Sequence, residues 1–241
     1  ATTVFGGETR YVEMPDGGFD LPSIAARVDD DTRLIFICNP NNPTSTMVTH
    51  IELAALMRAV PDSVIVVVDE AYGEFAQSAE YPQTLELIKR HPNLIRLRTF
   101  SKIYGLAALR IGYATAQPEL IGLVSALRQP FNVGTIAQEA ATAALTDAEF
   151  VERTKTVIAS GRAQLCAALD HMYVPYFPPA ANFVCGHFGP GAGDVVKALA
   201  DRKIAVRPLH SFGLPEHIRM SVGTEEETAM LASALAAILE R

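Results

Sequence analysis

Four groups of residues in this chain have types and spacings suited to joint chemistry. Asp69-Glu70-Ala71-Tyr72 sets a carboxylate beside a phenol, and Thr99-Phe100-Ser101-Lys102 sets two hydroxyls beside an amine. Arg110 follows eight residues after Lys102, and Asn39 to Ser45 is a run rich in Asn and Pro. Hydroxyls with an arginine suit phosphate, a carboxylate suits a protonated pyridine nitrogen, and a lysine amine suits an aldehyde. A lysine is protonated in water at neutral pH, so such a nucleophile needs surroundings that favour its neutral form. Singly, each group has an ordinary explanation. Asn-Pro-Asn-Asn-Pro makes a rigid double turn. Asp-Glu after a Val-rich run caps a helix, binds a metal or serves an ATPase. A lysine at a strand end is commonly just solvated. Their occurrence together is what is unusual.

The elements that must position these residues follow from the apolar pattern. Leu34 to Cys38 and Val64 to Val68 are continuous apolar runs that stop at Asn39-Pro40 and Asp69-Glu70, and both read as strands buried on two faces. Between them, Thr49-His50-Ile51-Glu52 offers a capping box ahead of an amphipathic helix. Strand, helix and strand in this order make a βαβ unit and hence a parallel sheet. Leu94 to Phe100 and Ile111 to Ala114 are further strands. Thr135 to Leu145 and Phe150 to Leu169 read as helices interrupted near Asp147, where the domain boundary is placed. Beyond it, Asn182 to Cys185, Ile204 to Arg207 and Ile218 to Val222 read as short strands. Thr224 and Glu227 form a second capping box ahead of a closing helix, Met230 to Leu239. Ligands of parallel sheets collect beyond the carboxyl ends of the strands, so the polar groups above should meet in one crevice.

Composition narrows the partners. With 241 residues, 49% of them hydrophobic, the chain can bury a large core. A net charge of −7 without any Lys/Arg-rich block argues against a nucleic-acid partner. Cys38, Cys166 and Cys185 are an odd, widely spaced set, which argues against a disulfide framework and for a reducing, cytoplasmic setting. No apolar run reaches a membrane-spanning length, and no metal site is expected.

Five segments carry a resemblance. They are Ile37-Cys38-Asn39-Pro40-Asn41-Asn42-Pro43-Thr44, Val68 to Tyr72, Thr99 to Lys102 continuing through Gly105 to Tyr113, Arg128 to Val133, and Ile218 to Gly223. In this order and spacing the chain resembles the fold-type I pyridoxal-phosphate aminotransferases, and within them the histidinol-phosphate aminotransferases and their aromatic aminotransferase relatives. The resemblance implies an α/β fold with a mostly parallel large domain over residues 1–148 and a small C-terminal α+β domain over residues 149–241. The cofactor it implies is pyridoxal 5'-phosphate. By the same resemblance Lys102 forms the internal aldimine and then moves a proton between the substrate α-carbon and the cofactor C4′. Asp69 pairs with the pyridine nitrogen, and Asn42 and Tyr72 reach the ring 3′-oxygen. Thr99, Ser101 and Arg110 belong to the phosphate cup. Arg219 receives the substrate carboxylate, with Asn42 beside it, and Arg207 looks toward the substrate phosphate or distal group. Tyr104, His210 and Phe212 are expected to border the pocket.

The implied reaction passes an amino group from histidinol phosphate or an aromatic amino acid to 2-oxoglutarate, in a cytoplasmic homodimer whose partners are small amino and keto acids. Three other readings stand beside it. A pyridoxal-phosphate decarboxylase of amino-acid phosphates shares the motifs, and a non-catalytic dimerising fragment or paralogue fits a shortened chain. A magnesium-dependent nucleotide enzyme lacks its Gly-rich loop. Two departures from the family pattern need structural answers. Ser45 stands where glycine is usual, which implies either an ordinary backbone or some strain. Ala108 puts a methyl group where none is usual. The resemblance also implies roughly a hundred residues ahead of the position of Ala1, about the size of a substantial part of a domain. These would supply a substrate-covering arm, a phosphate-binding turn, an aromatic residue stacked on the ring and a tyrosine reaching the neighbouring subunit, so the chain is expected to be part of a longer enzyme.

Overall fold

In a computed structural model that describes residues 2–239, two separate sheets carry the chain. The first contains β1 (Leu34–Cys38), β2 (Ile65–Asp69), β3 (Leu94–Thr99) and β4 (Gly112–Thr115), in that spatial order. The connections from β1 to β2 and from β2 to β3 run through α2 (His50–Ala59) and α3 (Thr84–Ile88), and α1 (Leu21–Ala26) precedes β1. β1, β2 and β3 are parallel, with Cys38 opposite Asp69 and Asp69 opposite Leu97. β4 pairs antiparallel to β3, with Thr99 opposite Gly112, so the sheet is mostly parallel as expected. The segment joining β3 to β4 holds only a 3-10 turn, Ala107–Leu109, and not the α-helix that usually carries a parallel crossover.

The capping box at α2 forms as its sequence dictates. The Thr49 hydroxyl accepts from the Glu52 amide at 3.3 Å, and the Glu52 carboxylate accepts from the Thr49 amide at 2.7 Å. The helix then lays Leu53, Leu56 and Met57 on Ile35, Ile37, Val66 and Val68 of the sheet. Each such buried side chain contributes about 1.5–3 kcal/mol relative to exposure. β2 is buried on both faces as expected, but β1 is not: Leu34 and Phe36 are 51% and 63% exposed. Helices α1 and α2 cover one face of β1. The packing on the opposite face, Val67, Ile95 and Leu120, reaches only β2 and β3.

After α4 (Pro118–Ala126) come α5 (Thr135–Thr146) and α6 (Ala148–His171), which break at Asp147. Asp147 ends α5 and caps α6, its carboxylate accepting from the Phe150 amide at 2.9 Å. The second sheet consists of β5 (Phe183–His187), β6 (Arg207–Pro208) and β7 (His217–Ser221), all antiparallel, with β7 central. α6, α7 (Ala192–Asp201) and α8 (Glu225–Leu239) pack on it through Leu165, Leu199, Leu231 and Leu235. The strand expected from Ile204 shrinks to Arg207–Pro208, because α7 uses the preceding residues to terminate. Lys203 turns left-handed at φ 62°, and the Ile204 amide donates back to the Leu199 carbonyl at 3.0 Å. α8 starts at Glu225, directly after the Thr224 of its Thr224/Glu227 capping box, rather than at Met230.

A third apolar cluster joins the two sheets. Tyr72, Phe75 and Ile103, from the segments that follow β2 and β3, meet Ile158, Ala181, Phe183 and Val222 from the second half of the chain. Among the described residues no helix is long and apolar enough to cross a membrane, and no group of three or more His, Cys, Asp or Glu is placed to hold a metal ion.

Candidate active site

The carboxyl ends of β2 and β3 open onto a cleft of about 480 Å³ whose walls include Asp69, Thr99, Ser101, Lys102, Arg110 and Tyr113. Asp69 closes the central strand β2 with a half-buried carboxylate, and its Oδ1 accepts from the Ala71 amide at 2.9 Å. That bond turns the chain sharply, and Tyr72 enters the core perpendicular to Phe183, with ring centroids 5.1 Å apart. On the neighbouring strand, Thr99 Oγ1 accepts from the Ser101 amide at 3.0 Å, which starts the turn that presents Lys102. Lys102 is exposed to the cleft, with Nζ 5.1 Å from the centre of the Tyr72 ring. Arg110 completes this wall. Its backbone is left-handed, at φ 51°, and its Nη1 donates to the Ser101 hydroxyl at 3.3 Å and the Ala107 carbonyl at 2.8 Å. A non-glycine residue in that conformation costs about 1–2 kcal/mol, so its side-chain direction is imposed by its surroundings.

Asn42 and Arg219 form a second group. The Asn39–Ser45 loop leaves β1, whose last residue lies opposite Asp69, and Asn42 Oδ1 accepts a short bond from Arg219 Nη1 on β7. The Arg219 guanidinium lies 5.0 Å above the Phe183 ring, and its buried Nε has no partner. Arg207 on β6 sits directly opposite Arg219 in the antiparallel pair, so both side chains leave the same face of the sheet. Tyr104 packs against Phe100, whereas His210 and Phe212 lie on an exposed 3-10 turn.

Both departures from the pattern have answers. Ser45 is completely buried and adopts φ 70°, so the strained alternative holds. Ala108 is exposed, and its methyl group points into no packed space.

A polar network behind the cleft was not anticipated. Glu70, only 1% exposed, accepts from Thr84 and lies 3.0 Å from Arg98 Nε, while Arg98 Nη1 meets Glu74 at 2.7 Å. The Nε–H does not aim at Glu70, so that contact is a charge attraction rather than a well-formed hydrogen bond. Burial pushes the Glu70 carboxyl above its ordinary range, and Arg98 and Thr84 pull it back. The Tyr81 hydroxyl, whose burial pushes its pKa far up, donates to the Asn39 carbonyl at 2.8 Å and ties the loop to this network. Arg96 and Arg98 at alternate positions of a strand were the available signal, and Tyr113 in the cleft wall lay in the Gly105 to Tyr113 segment of the resemblance without an assigned role. The cysteines offer no competing nucleophile, since burial pushes Cys38 up to about 11 and Cys185 up to about 12.

The sequence pattern of the family described as aminotransferase class I and II matches residues 3–235. The chain belongs to this family. Among its relatives, histidinol-phosphate aminotransferase 1 of Nitrosococcus oceani is 43% identical over 237 residues, covering 98% of this chain and 64% of that protein. Histidinol-phosphate aminotransferase 2 of Ralstonia nicotianae is 45% identical over 235 residues, covering 95% of this chain and 63% of that protein. The chain therefore spans a little under two thirds of the length of these relatives. The crystal structure of histidinol-phosphate aminotransferase from Sinorhizobium meliloti in complex with pyridoxal-5'-phosphate superposes with a TM-score of 0.87 at 31% identity, over 98% of this chain and 65% of that one. The mostly parallel α/β sheet with its helical cover is thus a fold shared with that solved histidinol-phosphate aminotransferase.

Proposed function

We propose that this protein transfers an amino group between histidinol phosphate and 2-oxoglutarate with pyridoxal 5'-phosphate as cofactor. One observation carries the reading: an amine, a carboxylate and an anion-binding pair, Lys102, Asp69 and Ser101/Arg110, share one cleft of about 480 Å³. The donor set fits the cofactor. Ser101 and Arg110 offer a hydroxyl and a guanidinium to a phosphate, Thr99 adds a second hydroxyl, and Asp69 offers a half-buried carboxylate to a protonated ring nitrogen. When bound, pyridoxal phosphate supplies the electron sink for charge left on the substrate α-carbon.

The chain's own residues do the rest. Lys102 Nζ would provide the amine that holds the cofactor's aldehyde, and would then take and return the proton of the substrate α-carbon. Tyr72 and Asn42 would donate to the ring oxygen, and the perpendicular packing against Phe183 fixes the Tyr72 ring. Arg219, with a buried Nε lacking a partner, offers a donor to a carboxylate or phosphate.

Like charges directly opposite in an antiparallel pair repel, so Arg207 across from Arg219 favours a doubly negative ligand. A phosphate monoester, or glutamate with its two carboxylates, meets that demand better than an aromatic amino acid with one. The same reading places the cofactor-binding part in residues 1–148 and the small part in residues 149–241, in a cytoplasmic homodimer that gel filtration tests. The deciding experiment adds pyridoxal phosphate, then glutamate, histidinol phosphate, phenylalanine or tyrosine, and follows the cofactor's absorbance. Conversion by glutamate and histidinol phosphate, and its absence in Lys102→Ala, is expected. No spectral change with any donor refutes the reading.

A further inference from the structure

We propose that Ser45 is a positioning residue whose hydroxyl pins the second sheet's entry segment to the Asn39–Ser45 loop and thereby sets Arg219 against Asn42. This rests on the amino-transfer reading above. Ser45 is bonded at every polar atom. Its amide donates to the Asn41 carbonyl at 2.8 Å, its carbonyl accepts from the Ala180 amide at 2.8 Å, and its Oγ accepts from the Ala181 amide at 2.9 Å. Ser45 and Ala181 are both fully buried, and 136 positions separate them in the chain. The Ala181 carbonyl is held independently, accepting from Arg162 Nη1 on α6 at 3.0 Å.

The contacts close a ring. Two residues beyond Ala181, Phe183 carries the Arg219 guanidinium on its face, and Arg219 returns to Asn42, three residues before Ser45. Asn42 lies in the loop that leaves the first sheet and Arg219 in the second sheet, so their spacing depends on how firmly the loop and the Ala180–Phe183 segment are joined. The hydroxyl is the side-chain tie between those two segments. It also explains why a side chain is tolerated at φ 70°, where glycine would fit without strain.

The test separates the pin from simple packing. S45G removes the hydroxyl and relieves the backbone, so a merely structural role predicts unchanged or improved behaviour throughout. Positioning predicts instead a Tm close to that of the unaltered protein, with a KM for glutamate raised about three- to ten-fold, as one lost hydrogen bond implies. The change in kcat should stay under about two-fold, because the interaction lost acts on binding. S45A, which keeps the strained backbone, should show the same KM rise at a lower Tm. Amide hydrogen exchange in the S45G protein gives a readout independent of turnover. Ala181 should lose protection by about ten-fold while Ala180, bonded to the Ser45 carbonyl, keeps it. Unchanged protection at Ala181, an unchanged KM, or a loss confined to kcat overturns the proposal. Absence of amino transfer in the unaltered protein would sink the functional reading and the positioning role with it, whereas Ala181 exchange judges the pin by itself.

Discussion

Replacing Arg98 by leucine should destabilise this protein far more than an ordinary single substitution, and the deficit should grow with pH. Arg98 lies between Glu70 at 3.0 Å and Glu74 at 2.7 Å, and the two carboxylates are 1% and 12% exposed. Removing one partner of a buried ion pair leaves the other charge uncompensated, at a cost of about 3–5 kcal/mol. For a chain of this size each kcal/mol moves Tm by about 2–4 °C, so a fall of roughly 6–20 °C follows. Glu70 sets the sign of the pH dependence. Its folded carboxyl is already raised by burial, and losing Arg98 removes the main influence holding it down. The folded protein then binds more protons than the unfolded chain, beginning at the ordinary carboxyl range and continuing upward. Stability therefore declines with rising pH through that window, and the deficit is smaller at about pH 5 than at about pH 8. Urea unfolding of both proteins at the two pH values measures it. Adding Glu70→Gln to Arg98→Leu should recover part of the loss at the higher pH. Equal unfolding midpoints for the variant and the unaltered protein at about pH 8, or a deficit that ignores pH, would refute the reasoning.

Three further outcomes are expected in the cleft and beside it. Arg110→Met should weaken pyridoxal phosphate about ten- to a hundred-fold, the worth of charge-assisted hydrogen bonds, as measured by titration of cofactor absorbance. Asp69→Asn should keep the fold by circular dichroism but lower kcat on the order of a hundred-fold, because a neutral amide cannot balance a protonated ring nitrogen. Arg207→Leu should cut kcat/KM for histidinol phosphate about ten- to a hundred-fold and leave phenylalanine nearly untouched; equal losses on both would remove the argument from the paired arginines.

The parts of this architecture legible in the sequence are those where a local pattern decides the outcome. β1 and β2 are apolar runs that end on polar residues, and the two capping boxes announce α2 and α8. Asp69, Ser101 and Lys102 sit at strand ends, where a parallel sheet delivers its ligands. What stayed hidden depends on partners distant in the chain. Arg98 reads locally as a solvated strand residue, and only the placement of β3 beside β2 brings it to Glu70. Ile204 to Val206 look like strand, but the ending of α7 claims them first. The outer face of β1 carries residues of core type, so their exposure could not be read from their identity.

That bare strand has a practical consequence. Among the described residues β1 lies at the border of its sheet with one row of backbone groups unpaired by any strand, no charge or proline in Leu34-Ile35-Phe36-Ile37-Cys38, and two large apolar side chains facing outward. Uncharged strand borders of this kind recruit copies of themselves. A polypeptide limited to these residues should consequently precipitate as its concentration rises, and Phe36→Lys, which puts a charge on that border without touching the packed side, should keep it in solution.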